Sequence, residues 1–463
     1  MEDFCSFIRS LIAPIRSVPN EILGLVFEHY VGNRRLSLAY KDPIWLLTCV
    51  CRVWRKVALS TPSLWTRINT SRISKYVPVN TRYFPGSVDM SKVCDVLRSY
   101  LAYSRSLPLD IVLYLWPSFR WKPAVQILWE HRQRWQTLRI HGTRAQVLDQ
   151  VRQEMPSVGL PLLRSYQHSF HKTTKDIPGL LCLQPAPKLR ILRLRGSLQT
   201  IDQSLPWSQI TCYTGPAVTP DGHRILTLMG NLEFCVVRFI EFDCRIWGNS
   251  TSLSCPRLRV LSFHEDWKPH TCAAYISVPK LRKLCVAGDY QHPSYYYKIC
   301  ARHGSALSTL SIGYGWDDAV LYEIIKHCPT LHTLVLRKMP GRTPPGTIWR
   351  PIFAQLKDTP ALLSHLVVLK VVLYFFRTTD AINAQVADVM QMVKTLMSLD
   401  PHCLQAVHLY DGHVEPTRRM LDQEFATVID TVNVTVHGRG EYQHIDDFGE
   451  LVRYYLSSSQ CMS

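Results

Sequence analysis

Residues 17–66 read SVPNEILGLVFEHYVGNRRLSLAYKDPIWLLTCVCRVWRKVALSTPSLWT, and their spacing describes a small helical module. Pro19 and Asn20 stand where a helix begins. Ile22, Leu23, Val26, Phe27 and Tyr30 then recur at steps of three and four, which describes one apolar face of a helix about three turns long. Asp42 before Pro43 opens a second helix, an N-cap acid followed by a proline at the first helical position, and Ile44, Leu47, Val50, Trp54 and Val57 share one side of it. Arg52, Arg55 and Lys56 fall largely elsewhere. Pro62 ends that helix, because its ring disfavours helical geometry at Thr61, and Ser63-Leu64-Trp65 returns an aromatic to the bundle. A three-helix unit of this size buries too little apolar surface to be comfortably stable alone, so a partner is expected.

The segments Pro19-Asn20-Glu21-Ile22-Leu23, Val26-Phe27, Val50-Cys51-Arg52-Val53-Trp54-Arg55 and Pro62-Ser63-Leu64-Trp65 resemble the F-box, in the form abundant among mushroom-forming fungi. The resemblance implies that the module docks on a Skp-type adaptor and, through it, on a cullin-based ubiquitin ligase. Pro19, Ile22, Leu23, Val50, Trp54 and Trp65 match family positions that build the box or touch the adaptor. Two departures are Val18, where the family usually has Leu, and a longer loop over Gly32–Lys41.

Downstream, the short pattern LxxLxL recurs as WQTLRI from Trp135, LRSYQH from Leu163, LRILRL from Leu189, WSQITC from Trp207, LEFCVV from Leu232, LRVLSF from Leu258, LRKLCV from Leu281, LSTLSI from Leu307, LHTLVL from Leu331, LVVLKV from Leu366 and LQAVHL from Leu404. Most intervals between these starts lie in or near the range of leucine-rich repeats, in which one strand and its helix cannot cover their own apolar face until neighbours stack on them. The weakest matches are at Leu163 and Trp207. Pro187, Pro256, Pro279 and Pro329 precede four of the units and set the entry to the strand. Met90–Ser106 reads as a helix with Val93, Val96, Leu97, Tyr100 and Leu101 on one face, Leu107–Leu115 as a strand, and Ala381–Leu399 as an inserted helix. Thr427–His437 alternates like a last strand, and Asp446–Tyr455 reads as a capping helix.

The expected fold class is therefore α/β. A helical F-box over 17–66 follows an extension over 1–16; a connector over 67–88 leads to an irregular leucine-rich-repeat solenoid over 89–463, with parallel strands on a concave face and helices outside. Outward positions of successive strands should align in columns, and basic residues recur at both ends of that series. Arg139, Arg193, Arg195, Arg238, His264, Arg337, Lys370 and His408 are the candidate substrate-binding residues, suited to an acidic or phosphorylated protein.

The charge supports such a partner, since 53 Lys and Arg against 36 Asp and Glu leave +17. From Asp400 onward 4 basic and 10 acidic residues give −6, so the first 399 residues carry +23. Fifteen scattered cysteines form no CxxC pair, the distribution of buried thiols in a reducing compartment. The start of the chain fails as a signal peptide, because Arg9 and Pro14 interrupt its apolar run, and no run reaches the length of a membrane span. The location expected is the cytoplasm or nucleus. No nucleotide loop, nucleophile elbow or HExxH motif occurs, and His264-Glu265-Asp266-Trp267-Lys268-Pro269-His270 reads as a surface loop sooner than a metal site, so neither catalysis nor a cofactor is expected. Trp116, Trp121, Trp129 and Trp135 accompany the bases but fall where core is expected. The function expected is a non-catalytic substrate receptor of a Skp, cullin and F-box ligase. The alternative is a basic repeat protein that holds RNA or another polyanion without a degradation role, for which no RNA-binding motif is present.

Overall fold

The structure, a computed structural model, describes residues 18–32, 42–70, 90–115, 121–142, 159–169, 185–195, 205–215, 225–238, 253–264, 276–287, 294–313, 318–337, 350–373, 379–399, 403–411, 417, 421 and 431–437. The chain divides into two compact units, Met1–Ile210 and Thr211–Ser463, a division that falls inside the stretch expected to form one solenoid.

The first unit begins with helices α1 (Asn20–Gly32), α2 (Pro43–Val50) and α3 (Arg52–Ser60), followed by a 3-10 turn at Pro62–Trp65. The helix expected to run from Pro43 past Val57 is two helices. Cys51 is extended (φ −158°, ψ 172°), and its Sγ caps α3 by accepting from the Trp54 amide at 3.5 Å. The Arg55 side chain closes the break by donating from Nε to the Thr48 carbonyl at 2.8 Å. Thr48 contributes to the break, because its hydroxyl bonds the Trp45 carbonyl at 2.7 Å, a local bond that weakens a helix interior. Leu23, Phe27, Val31, Ile44, Leu47, Val57, Ala58, Leu64 and Trp65 form the core of this bundle.

Three residues of the expected connector are already sheet: β1 (Arg67–Asn69) pairs in parallel with β2 (Leu109–Leu115). The rest of the connector, 71–88, lies outside the described residues. Helix α4 (Met90–Tyr103) buries Val93, Leu97, Tyr100 and Leu101 as its spacing predicts, but Val96 is only half-buried and Cys94 is buried instead. Helix α5 (Lys122–Glu130) leads to β3 (Trp135–Gly142), β4 (Ser165–Ser169) and β5 (Ile191–Arg195). These strands pair in sequence order, all parallel, with Leu138, Tyr166 and Leu192 level on the buried face. Trp121, Trp129 and Trp135 are all buried, as core residues, while Trp116 lies outside the described residues.

In the second unit, β6 (Cys212–Gly215), β7 (Phe234–Arg238), β9 (Val260–His264), β11 (Lys283–Ala287), β12 (Thr309–Ile312), β13 (Thr333–Arg337), β14 (Val368–Leu373), β15 (Ala406–Asp411) and β16 (Asn433–His437) pair in that order, again all parallel. Two short strands, β8 (Leu253–Ser254) and β10 (Ile276–Ser277), pair separately. Helices α6 (Ser294–His303), α7 (Asp318–Lys326), α8 (Arg350–Asp358) and α9 (Thr379–Leu399) precede β12, β13, β14 and β15, and each packs on the next.

The recurring leucines explain this regularity. Leu163, Leu189, Leu232, Leu258, Leu281, Leu307, Leu331, Leu366 and Leu404 are all at most 3% exposed. A tight turn enters each of several strands: the amide of Leu189 donates to Ala186, Leu258 to Cys255, Leu281 to Val278 and Leu331 to Cys328, at 3.0–3.2 Å. Pro187, Pro256, Pro279 and Pro329 stand at the second position of these turns, where a fixed φ suits proline. The weak match at Leu163 is a true strand, β4. That at Trp207 needs a shift of three residues: Trp207 opens a 3-10 turn, and Ile210 takes the leucine's place with its amide on the Trp207 carbonyl at 3.1 Å.

The opposite face of the second unit differs from the open column expected. Val236, Ser262, Cys285, Ser311 and Val335 stand level across β7, β9, β11, β12 and β13, and all are at most 2% exposed. Small and apolar residues at these positions fit burial on both faces, the usual state of parallel sheets. Val335, Val372 and Tyr410 form one buried cluster on that side.

Candidate functional site

The helical bundle at the head of the chain carries two apolar surfaces. On α1, Leu23, Phe27 and Val31 recur at steps of four and are buried. Ile22, Val26 and Tyr30 recur at the same step one position earlier and are 49%, 50% and 41% exposed, so the single face expected for this helix is two stripes. Leu25 is exposed beside them, as are Leu46 and Val50 on α2 and Val53 on α3. Of the ten exposed large apolar residues among those described, these seven lie on the three helices of this bundle. Isolated exposed leucines are ordinary on a protein surface, but a concentration of this kind marks a place where another molecule covers the chain.

The six expected adaptor positions separate accordingly. Ile22 and Val50 are exposed, as is Pro19; Trp54 is half-buried, with its ring 4.9 Å from that of Phe27. Leu23 and Trp65 are 2% and 0% exposed, so they build the module and present no surface to a partner. Trp65 is held hard: its indole N–H donates to the Ala58 carbonyl at 2.8 Å, and its ring lies 5.1 Å from Trp45, 5.1 Å from Tyr100 and 4.8 Å from Tyr103. Through Tyr100 and Tyr103 it ties the bundle to α4. Ser63 donates to Glu28, joining the 3-10 turn to α1.

The eight candidate substrate residues fall in both units, three on β3 and β5 of the first and five on β7, β9, β13, β14 and β15 of the second. In the first unit Arg139 is exposed and Arg193 half-buried, flanking the buried Gln167 in register, and Arg195 is on the same strand as Arg193. In the second unit Arg238 is level with His264, and Lys370 with His408; the buried Cys285, Ser311 and Val335 are level with Lys370 and His408, two residues before the level of Arg238 and His264. Arg337 is level with Val372 and Tyr410. His408 is a poor cation, because burial first, then His437 and Lys370, hold its imidazole below the ordinary range. Its Nδ1 lies 3.0 Å from Nε2 of His437, whose ring stacks on Tyr410 at 4.5 Å. The stretch 265–270 and the expected capping helix lie outside the described residues.

One group escaped the sequence reading, although a signal for it was present. The tetrads Pro256-Arg257-Leu258-Arg259 and Pro279-Lys280-Leu281-Arg282 put a cation on each side of a buried leucine, at the edge where strands begin.

Among the described residues no group of three or more His, Cys, Asp or Glu could hold a metal ion, and no helix is long and apolar enough to cross a membrane. A family model described as F-box-like matches residues 15–71, so an F-box-like domain occupies the head of the chain. That match takes in α1, α2, α3, the 3-10 turn and β1. No curated protein matches the sequence.

Proposed function

We propose that the chain is a non-catalytic substrate-recognition subunit of a Skp, cullin and F-box ubiquitin ligase. The observation that carries this is the exposed apolar set Ile22, Leu25, Val26, Tyr30, Leu46, Val50 and Val53 on an F-box-like domain. F-box domains bind Skp-type adaptors and are not themselves catalysts, so transfer of ubiquitin falls to other subunits and this chain supplies proximity. Pro19, Ile22, Val50 and Trp54 touch the adaptor in this reading; Leu23 and Trp65 hold the surface in place.

The two series of parallel strands are read as an irregular leucine-rich-repeat solenoid of the kind fungal F-box proteins carry, and as the part that recruits the target. The buried leucine at the head of most units and the repeated entry turn support that reading. Work in the cytoplasm or nucleus follows from the reducing pattern of the cysteines. Co-expression with a Skp-type adaptor tests the proposal: a stoichiometric complex on gel filtration is expected, and a well-folded chain that elutes without the adaptor would overturn it.

A further inference from the structure

We infer that the strand-entry edge of the second unit, at Arg257, Arg259, Lys280 and Arg282, is a docking surface for an acidic peptide segment of the recruited protein. The inference rests on the receptor reading above and names where that receptor grips.

The backbone builds the edge. Leu258 and Leu281 turn inward, each closing its entry turn, which leaves the residues before and after them at the surface. The carbonyl of Glu233 accepts the amides of Arg259 (2.9 Å) and Val260 (3.1 Å); that of Arg259 accepts those of Arg282 (2.8 Å) and Lys283 (3.0 Å). Glu233, Arg259 and Arg282 therefore follow one another along the edge at the spacing of neighbouring strands, about 4.8 Å. Arg257 and Lys280 form a second row, two residues earlier in each unit. The result is a two-by-two array of cations fixed by the sheet rather than by side-chain chance.

Two of the four heads are aimed by hydrogen bonds. Arg257 donates to Asn231 Oδ1 at 2.6 Å, and Arg282 donates to the Ala306 carbonyl at 3.0 Å. Among the described residues no carboxylate pairs with any of the four. An open cavity of about 270 Å³ lies between Glu233, Arg257, Arg259 and Lys280.

The chemistry of the lining selects the ligand. Like charges on neighbouring strands repel, so an anionic partner is favoured by relief of repulsion as well as by attraction. Guanidinium forks suit carboxylates in two-point contact. The carboxylate of Glu233 in the same wall works against a compact dianion seated there, whereas an extended peptide can place its acids over the four cations and turn a donor toward Glu233. Four cations on two strands are also too short a track for a nucleic-acid backbone, along which affinity accumulates over many phosphates.

The test uses the full chain and fluorescence anisotropy with short labelled peptides: one rich in Asp and Glu, one of the same length with Asn and Gln, one neutral peptide with a single phosphoserine, and a short single-stranded RNA. The acidic peptide should bind and the amide version should not. Arg257→Glu with Lys280→Glu should weaken the acidic peptide at least about tenfold, whereas Arg67→Glu with Lys298→Glu, an equal change in net charge on exposed cations elsewhere, should change it less than about twofold. Equal losses in both variants would overturn the assignment in favour of net charge alone. Stronger binding of the phosphopeptide or RNA, lost in the same variant, would overturn the acidic-peptide assignment. The adaptor complex separates the two proposals: the Arg257→Glu, Lys280→Glu variant should still form it, and failure of the unaltered chain to form it counts against the receptor reading without touching the peptide result.

Discussion

Replacing Trp65 by Ala asks whether the F-box-like bundle is a free-standing module or one piece with the strands that follow. Trp65 is 0% exposed, and truncating a buried tryptophan costs about 3–5 kcal/mol through lost transfer energy and the cavity left behind. Three edge-on or tilted ring contacts add to this, each worth about 0.5–1.5 kcal/mol beyond area, and the buried Ala58 carbonyl loses its donor at a cost of about 1–3 kcal/mol. These terms overlap, so about 5 kcal/mol is the working figure, a large part of the stability of a domain. With a urea slope of about 2 kcal/mol/M, the corresponding transition should fall by about 2.5 M. Trp65→Phe keeps most of the ring contacts and should cost no more than about half as much. The decisive readout is local: hydrogen exchange followed by mass spectrometry should show faster exchange over 90–103 as well as 20–65, because Tyr100 and Tyr103 of α4 lose the ring they pack on. A loss below about 1 kcal/mol, or an α4 that stays fully protected while the bundle opens, would refute the reasoning.

Gly304→Ala should destabilise the second unit sharply, because the added Cβ would stand 2.3 Å from the His327 carbonyl oxygen and 3.1 Å from Cys328 Sγ. Thermal unfolding checks it, with a cost of about 1–3 kcal/mol or more expected from overpacking against backbone. Acid should weaken the first unit through His168. Burial first, then His141, hold this imidazole well below its ordinary value of 6.5, so in the unfolded chain it takes up a proton that the folded chain refuses. Stability should be flat above pH 6.5 and fall below it, by up to about 1.4 kcal/mol per pH unit from this group, and His168→Gln should flatten the slope in urea titrations. Iodoacetamide at pH 8 should label the exposed Cys49 and Cys51 while sparing Cys255, whose thiol burial pushes up to about 11; rapid labelling of Cys255 in the folded chain would contradict its placement.

Much of this architecture was legible because its signals are local and repeated. A buried leucine heads each unit from Leu232 to Leu404, and proline sets several of the entry turns, so period and turn chemistry agree. The shift at Trp207 went unseen because tryptophan and isoleucine three residues apart both satisfy the pattern, and only the turn geometry decides between them. The break at Cys51 was hidden for a similar reason: apolar spacing continues across it, and no glycine or proline marks it. On α1, helical spacing showed Ile22, Leu23, Val26, Phe27 and Tyr30 as one face, because neighbouring stripes at steps of four merge in a pattern of threes and fours. Which stripe packs inward is set by α2 and α3, and that is tertiary information. The second face of the sheet was read as open because alternation alone does not say that Ser262, Cys285 and Ser311 are covered. The cations at Arg257, Arg259, Lys280 and Arg282 lay in plain view beside the prolines, but they acquire meaning only when neighbouring strands bring successive units side by side.

The central claim concerns the exposed stripe, and it is tested most directly by titrating a Skp-type adaptor into the full chain and into an Ile22→Ser, Val50→Ser, Val53→Ser variant by calorimetry. Each of these side chains is 49–58% exposed, so about half of its burial energy, roughly 1 kcal/mol, is still to be gained on docking. The account predicts a fold unchanged in thermal midpoint and an affinity about a hundredfold weaker, from about 3 kcal/mol in all. Equal affinity of the two proteins, both folded, would contradict it.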